Sequence, residues 1–176
     1  MKQKAYPIKV AFGLEVCYFK EYENLIKDII TGYDYDFITG SVHWVDGFGF
    51  DHKKELWDNI DIDNTYKRYY EIMESLIKSK LFTGVAHPDS IKCFGHTPSY
   101  DLIPTYKHIA KLLKEYNMYA EQSGGLHLNY HTSDIGMNPL MLKIFKEYNV
   151  RMETASDAHQ PSHVGVNIKK LQAMIE

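Results

Sequence analysis

The chain has 176 residues, 44% hydrophobic and 24% charged, a composition that excludes an intrinsically disordered or fibrous protein and suits one globular domain spanning 1–176. A formal net charge of -3 and the lack of any Lys/Arg run leave no electrostatic footprint for a nucleic-acid partner. No apolar stretch reaches the roughly 18 residues that a bilayer span needs, and Met1-Lys2-Gln3-Lys4 is not followed by a signal-peptide core, so the expectation is a cytoplasmic protein with no membrane partner.

The elements alternate along the chain. A nearly continuous apolar run, Ile8 to Phe19, predicts the first strand, and Tyr22, Leu25, Ile26, Ile29 and Ile30 at three-four spacing predict a helix closed by Gly32. Phe37 to Trp44 is the second predicted strand. The stretch from Val45 to Asn64 is long for a connection, and such loops tend to belong to sites. Thr65 is expected to open a helix with Tyr66, Tyr69, Tyr70, Met73, Leu76 and Ile77 on one face, and Phe82 to His87 to form a third strand that Pro88 stops.

Beyond it, a helix from about Asp101 tolerates Pro104 in its first turn, and Met118 to Gln122 is the fourth strand, ended by Gly124-Gly125. Asn138-Pro139 reads as an N-cap with proline at the first helical position, ahead of Met141, Ile144, Phe145 and Tyr148. Val150 to Ser156 is the last strand, and a helix with Ile168, Leu171 and Ile175 closes the chain. Five β/α units in succession imply a parallel sheet covered by helices, either doubly wound or curled into a barrel.

Residues able to bind a metal fall at one end of these strands. Glu15, His43, His87 and Glu121 lie near the C-terminal ends of the first four, and Asp157 and His159 just beyond the fifth. In a β/α barrel those ends converge on one face, so distant residues meet around one pocket. Imidazoles with carboxylates suit divalent Zn, Mn or Fe. A single strand-end histidine is more often a hydrogen-bonded loop residue than a ligand, but independent histidines would not all choose the same face. A Glu15 buried without a partner would be costly, which favours a cation beside it. Glu121 reads equally as a group supporting the ligands or as a rim ion-pair partner. Cys17 is expected to be a core thiol, both cysteines are expected to be reduced, and His52, His96, His108 and His163 are read as solvated.

Gly13-Leu14-Glu15-Val16, Gly40-Ser41-Val42-His43, Gly84-Val85-Ala86-His87-Pro88-Asp89 and Ser156-Asp157-Ala158-His159, in that order, resemble the PHP (polymerase and histidinol phosphatase) superfamily, and within it the histidinol-phosphate phosphatases of histidine biosynthesis. The resemblance implies a distorted, TIM-like β/α barrel with three metal ions, hydrolysing L-histidinol phosphate to L-histidinol and phosphate. It implies that Glu15 bridges two ions, that His43 and His87 complete one ligand set with it, and that Asp157 and His159 bind the others and take part in catalysis. The family's N-terminal His-x-His motif has no counterpart in this chain. In the loop after Glu121, where relatives carry an arginine for the substrate phosphate, the candidate cations are His127 and His131.

The expectation is therefore an N-terminally truncated PHP-type domain, with about five of seven or eight β/α units and one fully liganded ion. A barrel of ~250 residues allots roughly 31 to each unit, which matches that number for this length. Its open sheet edges would be covered by a homo-oligomer, by domain exchange or by a further segment. The alternatives are an inactive metal-binding remnant or subunit, and a different metal-dependent hydrolase of related fold.

Overall fold

A computed structural model describes residues 8–176. Its main sheet is built from β1 (Gly13–Cys17), β2 (Phe37–Ser41), β5 (Gly84–Val85), β6 (Tyr119–Ser123) and β7 (Met152–Ala155), in the order β1-β2-β5-β6-β7, with every pairing parallel. Each strand is followed by a helix: α1 (Glu23–Ile30), α2 (Ile62–Ser79), α3 (Ile103–Glu115), α5 (Pro139–Glu147) and α6 (Ile168–Ile175). The sheet is open, with β1 and β7 as its edges. None of the described helices is long and apolar enough to cross a membrane.

The core forms where the apolar stripes of the helices meet the sheet. In α2, Tyr66, Tyr69, Tyr70, Met73, Leu76 and Ile77 are all buried, as their spacing predicts, and α3 packs between α2 and α5. The helix begins earlier than Thr65, because the Asp61 carboxylate accepts from Asn64 N at 3.0 Å and so caps it at Ile62. Asn138 caps α5 in the same way, its Oδ1 accepting from Leu140 N at 2.8 Å ahead of Pro139.

Three strands differ from expectation. β1 is confined to Gly13–Cys17 because β2, its one neighbour, starts only at Phe37. Ile8, Val10 and Phe12 before it are exposed, and the Phe12 amide bonds the Asp36 carboxylate instead. β5 is two residues long, although Thr83 N to Ile38 O and Ala86 N to Gly40 O extend its bonding to β2 on both sides. β2 ends at Ser41, and Trp44 belongs to a separate antiparallel hairpin of β3 (Trp44–Val45) and β4 (Phe48–Gly49). Its two-residue loop, Asp46-Gly47, has φ of 49° and 84°, the backbone that a tight hairpin with matched twist demands and that Asp-Gly readily supplies. Arg68 of α2 holds the loop, donating Nε and Nη2 to the Asp46 carboxylate at 2.8 and 3.0 Å. The long connection is thus an ordered hairpin followed by a 3-10 turn at Lys54–Trp57.

The segment after β6 is not the loop expected to carry His127 and His131. It forms a short helix, α4 (Gly125–Tyr130), whose first amide donates to Ser123 Oγ at 3.1 Å.

Candidate metal centre

The C-terminal ends of the parallel strands converge on a cleft of about 320 Å³, which carries Glu15, His43, His87, Asp157 and His159. Glu15 lies within β1, His43 two residues beyond β2, His87 two residues beyond β5 and Asp157 two residues beyond β7. The strands stop there for local reasons: Pro88 has no amide to continue a ladder, and both His87 and Asp157 adopt positive φ, 28° and 49°, which turns the chain away. A larger cavity of about 670 Å³ opens between Tyr66 and Tyr70 of α2, the first turn of α3 and the 89–101 and 130–140 segments. Among the described residues, the donor set able to hold a metal ion, Glu15, His43 and His87, lies in the smaller cleft.

Glu15, His43 and His87 present one ligand atom each, all within 4.8 Å of one another. Both imidazole Nε2 atoms stand 3.4 Å from Glu15 Oε1, and the two rings meet edge-on with centroids 5.1 Å apart. His87 is buried and Glu15 opens to solvent on the edge strand. Two imidazoles and a carboxylate converging on one point fit a divalent ion such as Zn, with room left for water or substrate.

The electrostatics of the metal-free cluster follow from this packing. Burial would raise the Glu15 carboxyl, but hydrogen bonds from His43 and His87 and the charge of His87 outweigh it and hold the group well below the usual carboxylate range. Burial would likewise depress His43, yet its bonds to Asp51 and Glu15 push it up to about 9. His87 is also raised: burial opposes its charge, and Glu15 overrides that. Glu121 goes the other way. Burial first, then the charges of Glu15 and Asp157, lift its carboxyl to about 7 against the opposing charge of His87. It adjoins the cluster electrostatically without lining the cleft.

Asp157 and His159 line the cleft without joining the tight triad. His159 Nδ1 is 4.0 Å from Asp157 Oδ1, and the ring, 69% exposed, is held by Asn129 Nδ2 donating to Nδ1 at 3.0 Å. His127 and His131 are not brought to the cleft. The first uses Nδ1 to bond Thr132 O at 2.7 Å, and the second, at the left-handed C-cap of α4, borders the larger cavity. His108 is exposed against Glu74, as expected, but His96 is not simply solvated: its ring stacks on Trp57 at 4.5 Å and its Nε2 is buried. Cys17 and Cys93 are both free thiols, Cys93 buried.

Sequence reading missed Asp51 and Asn129, both of which line the cleft. Asp51 follows the hairpin, and the Asp-Gly turn between aromatic residues was the signal that could have located it.

The PHP domain model matches residues 1–125. The chain belongs to the PHP domain family. Among curated proteins it is 29% identical over 167 residues to a probable histidinol-phosphatase of Deinococcus radiodurans, covering 90% of this chain and 60% of that protein. A fission-yeast protein of the same name, from Schizosaccharomyces pombe, is 24% identical over 173 residues, covering 91% and 56%. Among solved structures, a protein assigned as a histidinol phosphatase in Listeria monocytogenes superposes with a TM-score of 0.71 at 17% identity, covering 89% of this chain and 66% of that one. The histidinol phosphate phosphatase of Lactococcus lactis, crystallised with Zn, L-histidinol and phosphate, gives 0.68 at 15% identity, covering 96% and 66%. These likenesses establish the TIM-like α/β fold of PHP histidinol phosphatases. The chain spans about 60% of the length of the curated relatives it matches.

Proposed function

We propose that this PHP chain is a metal-dependent phosphoric monoester hydrolase of the histidinol-phosphate type, acting in histidine biosynthesis. The observation that carries the reading is the convergence of Glu15 on β1 with His43 and His87, which follow the next two strands of the parallel sheet, in a chain whose curated relatives are named for that activity. These three residues would hold one divalent ion. A cation bound there polarises a phosphoryl oxygen and lowers the pKa of its water.

The protein's own residues supply the rest. Asp157 and His159 line the same cleft, where Asp157 would serve as a carboxylate ligand to a further ion and His159, held by Asn129, would give a proton to the departing alcohol. Release of phosphate from L-histidinol phosphate, assayed with Zn, Mn or Fe supplied in turn, tests the reading. Metal-dependent release that is lost in His87→Ala supports it; metal-loaded protein that leaves the ester intact contradicts it.

One observation favours a second reading, a metal-binding subunit whose hydrolytic centre is completed by another chain or segment. Glu15 sits on an edge strand, its side chain 41% exposed, with no described element beyond β1. Activity that appears only on adding a separately produced segment, with metal already bound, would favour that form.

A further inference from the structure

We infer that Asp51 is a positioning residue for the metal centre, fixing the tautomer and aim of His43 from a rigid hairpin. The inference rests on the metal-site reading above and adds a residue and a device to it. Asp51 Oδ2 lies 2.6 Å from His43 Nδ1, on the side of the ring away from Glu15. A carboxylate can only accept, so Nδ1 must carry the hydrogen. A neutral His43 then keeps its lone pair on Nε2, the atom that faces Glu15 Oε1 at 3.4 Å and stands in the triad. The carboxylate also places negative charge behind the ring, which makes Nε2 a stronger donor to a cation.

Asp51 is built in. Its side chain is only 13% exposed, and its Oδ1 is buried with no hydrogen-bond partner, 3.8 Å from His52 Nε2. A carboxylate in that setting is costly unless the imidazole in front of it shares positive charge, as a metal-bound imidazole does. The preceding residue is clamped: Phe50 is fully buried against Tyr69, and its carbonyl accepts from Trp57 Nε1 at 2.7 Å. The hairpin itself is held to α2 through Asp46 and Arg68. Asp51 is therefore placed by contacts that do not involve the metal.

The test uses the full chain. Zn affinity is measured by competition with a chromogenic chelator for wild type, Asp51→Asn and Asp51→Glu, alongside thermal unfolding of each metal-free protein. Asp51→Asn is expected to lose about 10- to 100-fold in Zn affinity, the usual effect of removing a carboxylate behind a ligating histidine, while the metal-free protein still unfolds in one cooperative transition. Asp51→Glu should recover part of the loss, and the visible spectrum of the Co-substituted protein should change in Asp51→Asn. Equal affinity of wild type and Asp51→Asn would overturn the inference while leaving the metal site intact; no binding by wild type would overturn both.

Should the variants unfold, nitrogen-15 NMR of the Zn-loaded wild type decides. Hydrogen on Nδ1 and metal on Nε2 of His43 is the expected result, and the reverse arrangement overturns the inference.

Discussion

Asp157 lies so close over Gly125 that a Cβ on the glycine would stand 1.9 Å from its Oδ2. The first residue of α4 and the first turn beyond β7 are thus locked together at the mouth of the cleft. Gly125→Ala must displace the Asp157 carboxylate, an overpacking expected to cost about 1–3 kcal/mol in urea unfolding. Adding Asp157→Gly removes both the carboxyl and the Cβ that would stand 2.7 Å away, so the double variant should be more stable than additivity predicts. Strict additivity would show that the contact is not formed.

The helices contribute unequally to stability. Leu76 is fully buried under Gly40 of β2, whereas Leu25 on α1 is 56% exposed although both fall on the apolar stripe of their helix. Leu76→Ala should destabilise by about 2–5 kcal/mol, and Leu25→Ala by no more than ~0.5 kcal/mol. Similar losses from the two in denaturant titrations would mean that α1 is covered in solution.

On the surface, Lys78 and then His108 hold the Glu74 carboxyl below its ordinary range. Because the folded value is depressed, the stabilisation is present above the ordinary carboxylate range and fades as acid protonates Glu74. These groups are largely exposed, so the effect is small and salt-sensitive. His108→Ala should leave thermal stability near wild type at neutral pH, with the small difference vanishing in high salt.

The parts of the fold that were legible in the sequence are those where local chemistry and tertiary packing agree. Asn138-Pro139 starts α5 where a cap followed by proline must, and the α2 stripe buries as its period demands. Helix starts and strand lengths were less legible, because they depend on partners: Asp61 wins the cap of α2 over Thr65, and Ile8 to Phe12 have no strand beside them. The triad was legible since Glu15 lies on the first strand and His43 and His87 just past the ends of the next two, and the fold gathers that side of the sheet. Asp51 was not, as its place depends on the return of a hairpin that had been read as loop. The place of His127 and His131 was not legible either, because the segment forms α4, with His127 within the helix and His131 at its C-cap, and neither lines the cleft.

Metal removal should act on stability through the triad. A ligand bound only by the folded chain stabilises it by about 2.7 kcal/mol at one hundred times its dissociation constant. A chelator should therefore lower the melting temperature of metal-loaded wild type and leave His43→Ala unaffected. The same shift in both proteins would place the metal elsewhere.

The most direct measurement is the metal content of the purified chain after growth with added Zn, beside His87→Ala and His108→Ala. Wild type and His108→Ala should carry about one ion per chain, and His87→Ala none, because removing one of three ligands dismantles the set. Metal-free wild type, or equal occupancy in His87→Ala, would contradict the assignment of Glu15, His43 and His87 as the metal centre.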